Sequence, residues 1–305
     1  MEIKKVSIIG LGALGILFGS QMLGKIPEGD LRIVAENQRA ERYKRDGIFC
    51  NDRRCGFQYI TPDESCEPAD LLIFAVKFNG LADAIPAVKN HVGPNTVILS
   101  LLNGISSESI IGAVYGIEKI LYCVAQGMDA VKVGNRLTYQ SPGMLCFGEL
   151  ESNSPSQRMK DLAGFFDKVG IPYEMQSDMK RHMWGKFMLN VGVNQTAAAY
   201  GCDYGGLQKE GPARELMIMA MREVLALSEK EGVGLTENDL DYWLNVLRVL
   251  NPEGKPSMQQ DIEAKRPSEV GLFAGTVLSM TKRYGIHAAA NQKLQDLILS
   301  IENNY

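Results

Sequence analysis

The stretch "VSIIGLGALG", residues 6–15, decides the fold of this 305-residue chain. A short β-rich run leads directly into the spacing G-x-G-x-x-G, and a helix-forming segment follows at once. In a dinucleotide-binding unit, the same order of strand, glycine turn and helix places the helix amides against the pyrophosphate. The stretch therefore predicts a dinucleotide site, with a chance glycine-rich turn as the alternative.

The glycine turn supplies the predicted cofactor contacts. We expect Gly10 to permit the tight turn, Gly12 to let the backbone approach a pyrophosphate, and Gly15 to let the helix pack closely on the strand. The full set of predicted contacts is Gly10, Leu11, Gly12, Ala13, Leu14 and Gly15.

The end of the second strand, "VAENQR", bears on the choice of dinucleotide. Glu36 follows Gly15 at about the 20-residue spacing at which a carboxylate binds the ribose 2′-hydroxyl of NAD. Arg39 and Arg42 lie close enough along the chain to meet the 2′-phosphate of NADP instead. Spacing alone leaves both dinucleotides open and slightly favours NAD.

Apolar runs alternate with amphipathic segments over the first half of the chain, which predicts a doubly wound parallel sheet covered by helices on both faces. Strands are predicted at 6–10, 31–35, 71–76, 96–102 and 119–124, and helices at 12–24, 79–90 and 106–115. Residues 135–150 predict two short antiparallel strands about a Ser-Pro-Gly turn. A helix at 155–169 and a strand at 172–176 complete this half.

After Ser177 only helical periodicity remains. Helices are predicted at 178–199, 212–232, 236–250, 267–284 and 290–301. A chain of this length exceeds what one core usually holds. The sequence therefore predicts an α/β fold with two domains, an N-terminal Rossmann-type dinucleotide-binding domain (1–177) and a C-terminal all-helical substrate domain (178–305).

The segment "WGKFMLNVGVN", residues 184–194, has only three polar side chains, and they are spaced four apart: Lys186, Asn190 and Asn194. On a helix, four residues turn by about 40° and rise about 6 Å, so the three form one narrow stripe. A surface helix has a broader polar face. We expect this helix to be buried nearly all round, with its polar groups directed into a shared polar cleft. Because buried polar groups need partners, a ligand is predicted there, with a structural lysine paired to a core carboxylate as the alternative.

Four further residues are candidates for the site. Lys77 and Asn103 end strand-like runs, at the sheet edge where α/β folds bind ligands; a solvent-exposed lysine and an Asn-Gly turn are the alternatives. Ser257 and Glu269 lie in "SMQQDIEAKRPSEVG". Pattern alone favours structural roles for them, a capping box of Ser257 with Gln260 and a first-turn carboxylate at Glu269, although Glu269 is also a candidate acid partner for the lysine.

Composition narrows the class of protein. The formal net charge of −4 argues against a nucleic-acid partner. The six cysteines have no zinc spacing and the three histidines form no constellation, so no metal site is predicted. No apolar stretch has signal-peptide character or membrane-spanning length. We expect a soluble cytoplasmic protein without a membrane partner.

The motifs together resemble the ketopantoate reductase (2-dehydropantoate 2-reductase) family over essentially the whole chain. They are "GLGALG", "AVK", "LLNG", K-x3-N-x3-N at 186–194 and S-M-x-Q-D-x7-E at 257–269. The resemblance implies a Rossmann domain joined to a helical domain like that of 6-phosphogluconate dehydrogenase. It also implies reduction of 2-dehydropantoate to (R)-pantoate with NADPH, on the route to pantothenate and coenzyme A.

The resemblance implies roles for single residues. Lys186 would be the general acid that protonates the forming alkoxide. Asn190, Asn194 and Ser257 would hold the substrate, a small 2-keto acid.

The resemblance also places three residues at or near the cofactor. The resemblance places Lys77 near it and Asn103 near both substrate and nicotinamide. It makes Glu269 a second catalytic residue that engages cofactor or substrate. A homodimer is an expectation from the resemblance alone.

Two departures from the family pattern bear on specificity. Glu36 stands where the family usually has a basic residue, so an NADP preference rests on Arg39 or a neighbour and NAD stays an alternative. Asp203 and Tyr204 stand where the family tends to place a substrate-binding asparagine. A related reductase of another 2-keto or 3-hydroxy acid, or a non-catalytic dinucleotide-binding protein, are the competing hypotheses.

Overall fold

The computed structural model describes residues 2–305, which divide into two compact units. Unit 1 comprises the described residues up to Leu102 together with Ser106–Met179. Unit 2 comprises Asn103–Ile105 and Lys180–Tyr305. The predicted domains are contiguous in sequence, whereas these units assign three residues of a loop in the first half of the chain to unit 2.

Unit 1 is built from short strands and helices. In chain order its strands are β1 (Val6–Ile9), β2 (Leu31–Val34), β3 (Phe49–Cys50), β4 (Arg53–Arg54), β5 (Gln58–Ile60), β6 (Leu71–Phe74), β7 (Val97–Ser100), β8 (Tyr122–Met128), β9 (Val131–Val133), β10 (Arg136–Thr138), β11 (Pro142–Gly148) and β12 (Tyr173–Met175). Its helices are α1 (Ala13–Met22), α2 (Asn37–Asp46), α3 (Leu81–Ala87), α4 (Ser107–Tyr115) and α5 (Gln157–Val169), with 3-10 turns at Phe78–Gly80, Lys89–His91 and Ile117–Lys119.

A parallel sheet of order β5-β2-β1-β6-β7 forms the centre of unit 1. Successive residues of β1 enter different apolar clusters, because side chains alternate between the faces of a strand. Ile8 packs in the cluster that contains Phe18 of α1, and Ile9 packs in the cluster that contains Leu81 of α3. Both faces of the sheet are therefore covered, which confirms the predicted Rossmann-type fold.

The prediction that residues 119–124 form a continuous parallel strand is wrong, although Ile120 does form an isolated parallel bridge with Ile98 of β7. The chain there first forms the turn Ile117–Lys119, and β8 begins only at Tyr122. β8 belongs to a separate sheet of order β12-β11-β8, in which it pairs antiparallel with β11. The opposite edge of the parallel sheet is β5, which the sequence does not predict because its three residues are too few and too polar to signal a buried strand.

The predicted antiparallel pair at 135–150 is also wrong. β10 pairs with β3 and β9, while β11 pairs with β8 and β12. Pro142 is the first residue of β11, a strand position that tolerates the missing proline N–H. The Ser-Pro-Gly sequence thus marks the start of a strand. The other predicted elements of unit 1 agree with the structure to within a few residues at their ends.

Unit 2 is helical, as predicted. Its helices are α6 (Met179–Tyr200), α7 (Tyr204–Gln208), α8 (Pro212–Lys230), α9 (Glu237–Arg248), α10 (Ser257–Glu263), α11 (Thr276–Tyr284) and α12 (Ala289–Glu302), with a π-helical turn at Gly271–Gly275 that leads into α11. The short helices α7 and α10 lie outside the predicted spans, because each is too brief to show a helical period.

Two glycines let α6 pack closely on its neighbours. A Cβ atom at Gly185 would overlap the indole of Trp243 in α9, and one at Gly192 would lie 2.5 Å from Cγ of Met221 in α8. Most side chains of α6 between 183 and 198 are buried. The prediction of a helix buried nearly all round is confirmed.

Candidate active site

The polar stripe of α6 lies among buried residues. Lys186, Asn190 and Asn194 follow one another at helical spacing on α6. Asn190 and Asn194 are only 5% and 8% exposed, and Lys186 is half-buried. Enclosed amides of this kind are costly without hydrogen-bond partners.

Asn190 has such a partner in Asn103. Its Nδ2 donates to Asn103 Oδ1 at 3.4 Å, and Asn103 Nδ2 donates to Glu269 Oε2 at 3.2 Å. Three of the predicted site residues, from three separate segments, are therefore joined in one hydrogen-bonded network within unit 2. The Asn103 side chain uses its carbonyl toward one partner and its amide toward the other, which fixes its orientation.

A close backbone approach places Asn103 in this network. The next residue, Gly104, has φ +93°, and a Cβ atom there would lie 2.9 Å from Cδ1 of Leu272. The chain bends at residues 103–106, so the alternative of a structural Asn-Gly bend and the predicted site role of Asn103 are compatible. This bend presents the Asn103 side chain to Glu269 and Asn190.

Glu269 lies two residues before the first residue of the π-helical turn and is half-buried. Its backbone carbonyl accepts from the amides of Leu272 and Phe273, at 2.9 and 3.1 Å. Its carboxylate accepts from Asn103 instead of capping the turn. The structural alternative, a first-turn carboxylate of a regular helix, does not describe this position.

Ser257 is exposed and is the first residue of α10. The predicted capping box is wrong, because the N-cap residue is Pro256, which has no N–H for the Gln260 side chain to bind. The Gln260 amide donates instead to the carbonyl of Lys255 at 2.9 Å. Substrate binding by Ser257 stays a prediction.

The glycine turn of unit 1 has the backbone that its sequence predicts. Gly10 has φ +98°, and a Cβ atom there would lie 2.7 Å from the carbonyl carbon of Ala75, just after β6. A Cβ atom at Gly15 would collide with the carbonyl oxygen of Gly10. The tight turn and the close packing of α1 on β1 therefore both require glycine.

The residues at this turn fit a dinucleotide. Gly12 is the N-cap residue of α1 and offers no side-chain cap to the helix amides. Amides in this position attract phosphate groups through their N–H groups and the helix dipole. Lys77 follows Val76, whose side chain contacts the same turn, so it emerges at this edge of the sheet.

The acid and the two arginines after β2 are all accessible. Glu36 is the N-cap residue of α2, and it is exposed with no side-chain capping bond. Arg39 and Arg42 are exposed on the same helix. A carboxylate suited to a ribose hydroxyl and two guanidinium groups suited to a 2′-phosphate are therefore all exposed within seven residues of the chain.

Asp203 and Tyr204, which depart from the family pattern, lie at the start of α7. Asp203 caps α7 by accepting from the amide of Gly206 at 3.0 Å. Tyr204 follows it, with its amide donating to the carbonyl of Gly254 at 2.9 Å. Burial raises the pKa of the Tyr204 phenol to about 12, which keeps it neutral.

Sequence reasoning missed Gln195, which follows Asn194 directly. Its side chain is fully buried and makes three hydrogen bonds, one of them to the backbone of the π-helical turn after Glu269. The one signal in the sequence is that Gln195 follows Asn194 directly at the end of the apolar segment 184–194 of α6. His182, another polar residue of α6, has a structural environment: its ring packs against that of Trp243, with the ring centroids 5.9 Å apart.

Among residues 2–305, no group of three or more His, Cys, Asp or Glu side chains is arranged to hold a metal ion. Over the same residues, no helix combines the length and the apolar character that a membrane crossing needs.

Two family models match the chain. "Ketopantoate reductase PanE/ApbA" matches residues 6–152, and "Ketopantoate reductase PanE/ApbA C terminal" matches residues 178–302. Among curated proteins, the 2-dehydropantoate 2-reductase of Aquifex aeolicus (strain VF5) is 24% identical over 98% of this chain and 97% of the relative.

Solved structures show the same fold. A PanE/ApbA family ketopantoate reductase from Ralstonia eutropha JMP134 has a TM-score of 0.84 and 23% identity, covering 98% of this chain and 99% of that chain. A D-mandelate dehydrogenase in complex with NADH has a TM-score of 0.86 and 20% identity, with coverage of 98% and 99%.

Proposed function

The chain belongs to the ketopantoate reductase family, and from this premise we propose that it reduces 2-dehydropantoate to (R)-pantoate with NADPH. The observation that carries the proposal is the network of Asn103, Asn190 and Glu269, with Lys186 one helical turn before Asn190. A cation, amides and a carboxylate in one region can bind a 2-keto acid and protonate its carbonyl oxygen.

Lys186 is the general acid of the proposed reaction. When bound, the nicotinamide supplies a hydride to the keto carbon, and negative charge develops on the carbonyl oxygen. The Lys186 ammonium stabilises that charge and donates the proton that completes the hydroxyl group. A positioned acid of this kind contributes about 10²–10⁴-fold in rate.

The neighbouring side chains orient the substrate. Asn190, Asn194 and Ser257 hold its carboxylate and hydroxyl group in the proposed complex. Glu269 has one carboxylate oxygen engaged by Asn103, so its other oxygen can accept from a substrate hydroxyl or from the cofactor.

The glycine turn holds the pyrophosphate of the dinucleotide in this proposal. The backbone from Gly10 to Gly15 and the free N-terminal amides of α1 bind the phosphates. In the proposed complex Lys77 is near the cofactor, Asn103 is near the nicotinamide and the substrate, and Arg39 or Arg42 binds the 2′-phosphate.

A related reductase of another 2-keto acid is the second candidate. Tyr204, a large aromatic residue at a family substrate position, and the fold shared with a D-mandelate dehydrogenase solved with NADH and anilino(oxo)acetate favour it. Glu36 suits NADH as the donor. A non-catalytic dinucleotide-binding protein is a third hypothesis, but it leaves the Lys186 stripe without a role.

One substrate and cofactor panel tests all three hypotheses. Purified protein is assayed for oxidation of NADPH and NADH with 2-dehydropantoate, an aromatic 2-keto acid and short aliphatic 2-keto acids. We expect the highest kcat/KM with 2-dehydropantoate and NADPH. A higher value with another acid would replace the proposed substrate, and dinucleotide binding without turnover on any acid would remove the enzymatic proposal.

We also propose that the protein is a homodimer. A structural neighbour with a TM-score of 0.78 and 17% identity is a dimeric ketopantoate reductase from Staphylococcus aureus. Sedimentation equilibrium measures the mass directly. A monomer at assay concentration would contradict the expectation without affecting the proposed chemistry.

A further inference from the structure

Gln195 lies in the middle of a directional hydrogen-bond relay in unit 2. Its Nε2 donates to Asn291 Oδ1 at 3.1 Å and to the carbonyl of Val191 at 2.8 Å. Its Oε1 accepts from the backbone amide of Ala274 at 2.9 Å. Gln195 and Asn291 are both fully buried.

The far end of the relay fixes its direction. Glu223 accepts from the amides of Ala290 and Asn291 at the start of α12, and from Asn291 Nδ2 at 2.7 Å. A carboxylate can only accept, so it selects the Asn291 orientation in which Nδ2 faces Glu223 and Oδ1 faces Gln195. Gln195 must then direct its Nε2 to Asn291 and its Oε1 to Ala274. Both ends of the relay demand the same orientation.

The amide that Gln195 binds belongs to the π-helical turn. In this turn the amide of Gly275 donates to the carbonyl of Val270, five residues back. The wider turn changes which carbonyl each amide can reach, and the Ala274 amide is bound by a side chain from α6. Gln195 therefore stabilises a backbone geometry that an ordinary α-helix would not adopt.

The same turn positions Glu269. The Glu269 carbonyl accepts from the amides of the second and third residues of the turn, Leu272 and Phe273. Closing the turn to α-helical geometry would shift its hydrogen-bond register by one residue, which rotates the preceding residues by about 100° about the axis. Such a rotation would move the Glu269 carboxylate away from Asn103.

We propose that Gln195 is a positioning residue that holds the π-helical turn open and thereby sets the Glu269 carboxylate against Asn103. Its effect on turnover rests on the proposed function, whereas its effect on the turn does not. It acts through the backbone, so it needs no contact with substrate or cofactor.

The main variant is Gln195→Met, which keeps the size of the side chain and removes its hydrogen bonds. Ser228→Ala is the matched control, because the Ser228 hydroxyl is also fully buried and also accepts from a backbone amide, that of Leu235 at 3.0 Å. Both changes leave one buried amide without its side-chain acceptor. Only Gln195→Met removes a bond to the π-helical turn that follows Glu269.

Two readouts separate positioning from general destabilisation. Hydrogen exchange by mass spectrometry should show faster exchange over residues 269–275 in Gln195→Met than in Ser228→Ala at equal temperature. Gln195→Met should lower kcat/KM by about tenfold or more, and Ser228→Ala should leave it within about twofold. In a Glu269→Gln background, Gln195→Met should add less than about twofold, because the residue that it positions is already altered.

The outcomes discriminate between the two proposals. Unchanged exchange over 269–275, or an equal loss of kcat/KM in both backgrounds, would overturn the role of Gln195. Absence of turnover in the unmodified protein would remove the proposed function, while hydrogen exchange would still decide the role of Gln195.

If Gln195→Met does not fold, Gln195→Glu provides the test. The neutral carboxyl of this variant can still donate to Asn291 and accept from Ala274, which preserves the relay. The ionised carboxylate is repelled by the Asn291 and Val191 oxygens. Hydrogen exchange over residues 269–275 in this variant should therefore become faster as the pH rises. An exchange ratio to the unmodified protein that does not change with pH would count against the role.

Discussion

The side-chain amide of Asn103 donates to the carboxylate of Glu269 at 3.2 Å, although 166 positions separate the two residues along the chain. The same Asn103 side chain accepts from Asn190 at 3.4 Å. One amide therefore connects the carboxylate to the polar stripe of α6. The Asn103 Nδ2 must face Glu269, because a carboxylate can only accept a hydrogen bond, so a substitution that removes this donor tests the connection.

Asn103→Asp should lower kcat/KM by about a hundredfold or more. The substitution preserves shape but places one carboxylate against another, and like charges in a partly buried site disfavour the ionised pair. Asn79→Asp is the control, because Asn79 is exposed in a 3-10 turn of unit 1. Steady-state kinetics with 2-dehydropantoate measure the effect. Near-normal kcat/KM for Asn103→Asp would show that the bond to Glu269 has no part in turnover.

Lys186→Met should lower kcat by about 10²–10⁴-fold, because the developing alkoxide loses its proton donor. The change should fall mainly on kcat, since the proton is transferred in the transition state. Lys180→Met is the matched control on the same helix, where the Lys180 ammonium donates to the carbonyl of Gly232 at 3.2 Å. If both variants retained similar kcat values, Lys186 would not be the general acid.

Glu36→Gln should raise the ratio of kcat/KM for NADPH to that for NADH. The exposed carboxylate can bind a ribose 2′-hydroxyl but repels a 2′-phosphate, so its removal favours NADPH. Arg39→Gln and Arg42→Gln should shift the ratio the other way if either guanidinium binds the phosphate. A ratio unaffected by all three substitutions would place the adenosine ribose elsewhere.

Gly15→Ala should destabilise unit 1 and abolish dinucleotide binding. A Cβ atom there would collide with the carbonyl of Gly10, so α1 cannot keep its distance from β1. Gly164→Ala in α5 is the control, because a Cβ atom at Gly164 meets nothing within 4 Å. Alanine is the better helix former by about 1 kcal/mol, so this control should not lower the urea midpoint. A Gly15→Ala protein with normal midpoint and NADPH affinity would contradict the close packing.

The features that could be predicted from the sequence are those with local causes. The turn from Gly10 to Gly15 follows from backbone sterics within six residues, and the burial of residues 184–194 of α6 follows from how few polar side chains that segment contains. The features that could not be predicted depend on distant partners. β5 is stabilised by pairing with β2, and the role of Gln195 exists only because Ala274 is folded beside it. A buried glutamine has no pattern that indicates its partner.

Glu108 is a carboxyl group buried in unit 1, with only 2% of its surface exposed. It lies in the first turn of α4 and accepts from the hydroxyl of Ser107 at 2.9 Å. Ser107 and Ser100 share a further hydrogen bond of 2.8 Å, which links the end of β7 to the start of α4. Burial raises the pKa of the Glu108 carboxyl from 4.5 to about 7.

This shift predicts how stability depends on pH. A carboxyl whose pKa is higher in the folded state stabilises the fold in its neutral form, fully below pH 4.5, and that contribution is lost as the pH rises to about 7. Glu108→Gln stays neutral at every pH, so it should increase stability at pH 8 by on the order of 1–3 kcal/mol and leave it unchanged near pH 4.5. Urea midpoints at the two pH values measure this, with the exposed Asp63→Asn as the control for removing a charge. An equal effect at both pH values would mean that Glu108 is not neutralised by its burial, because only a group that changes its charge on folding makes stability depend on pH.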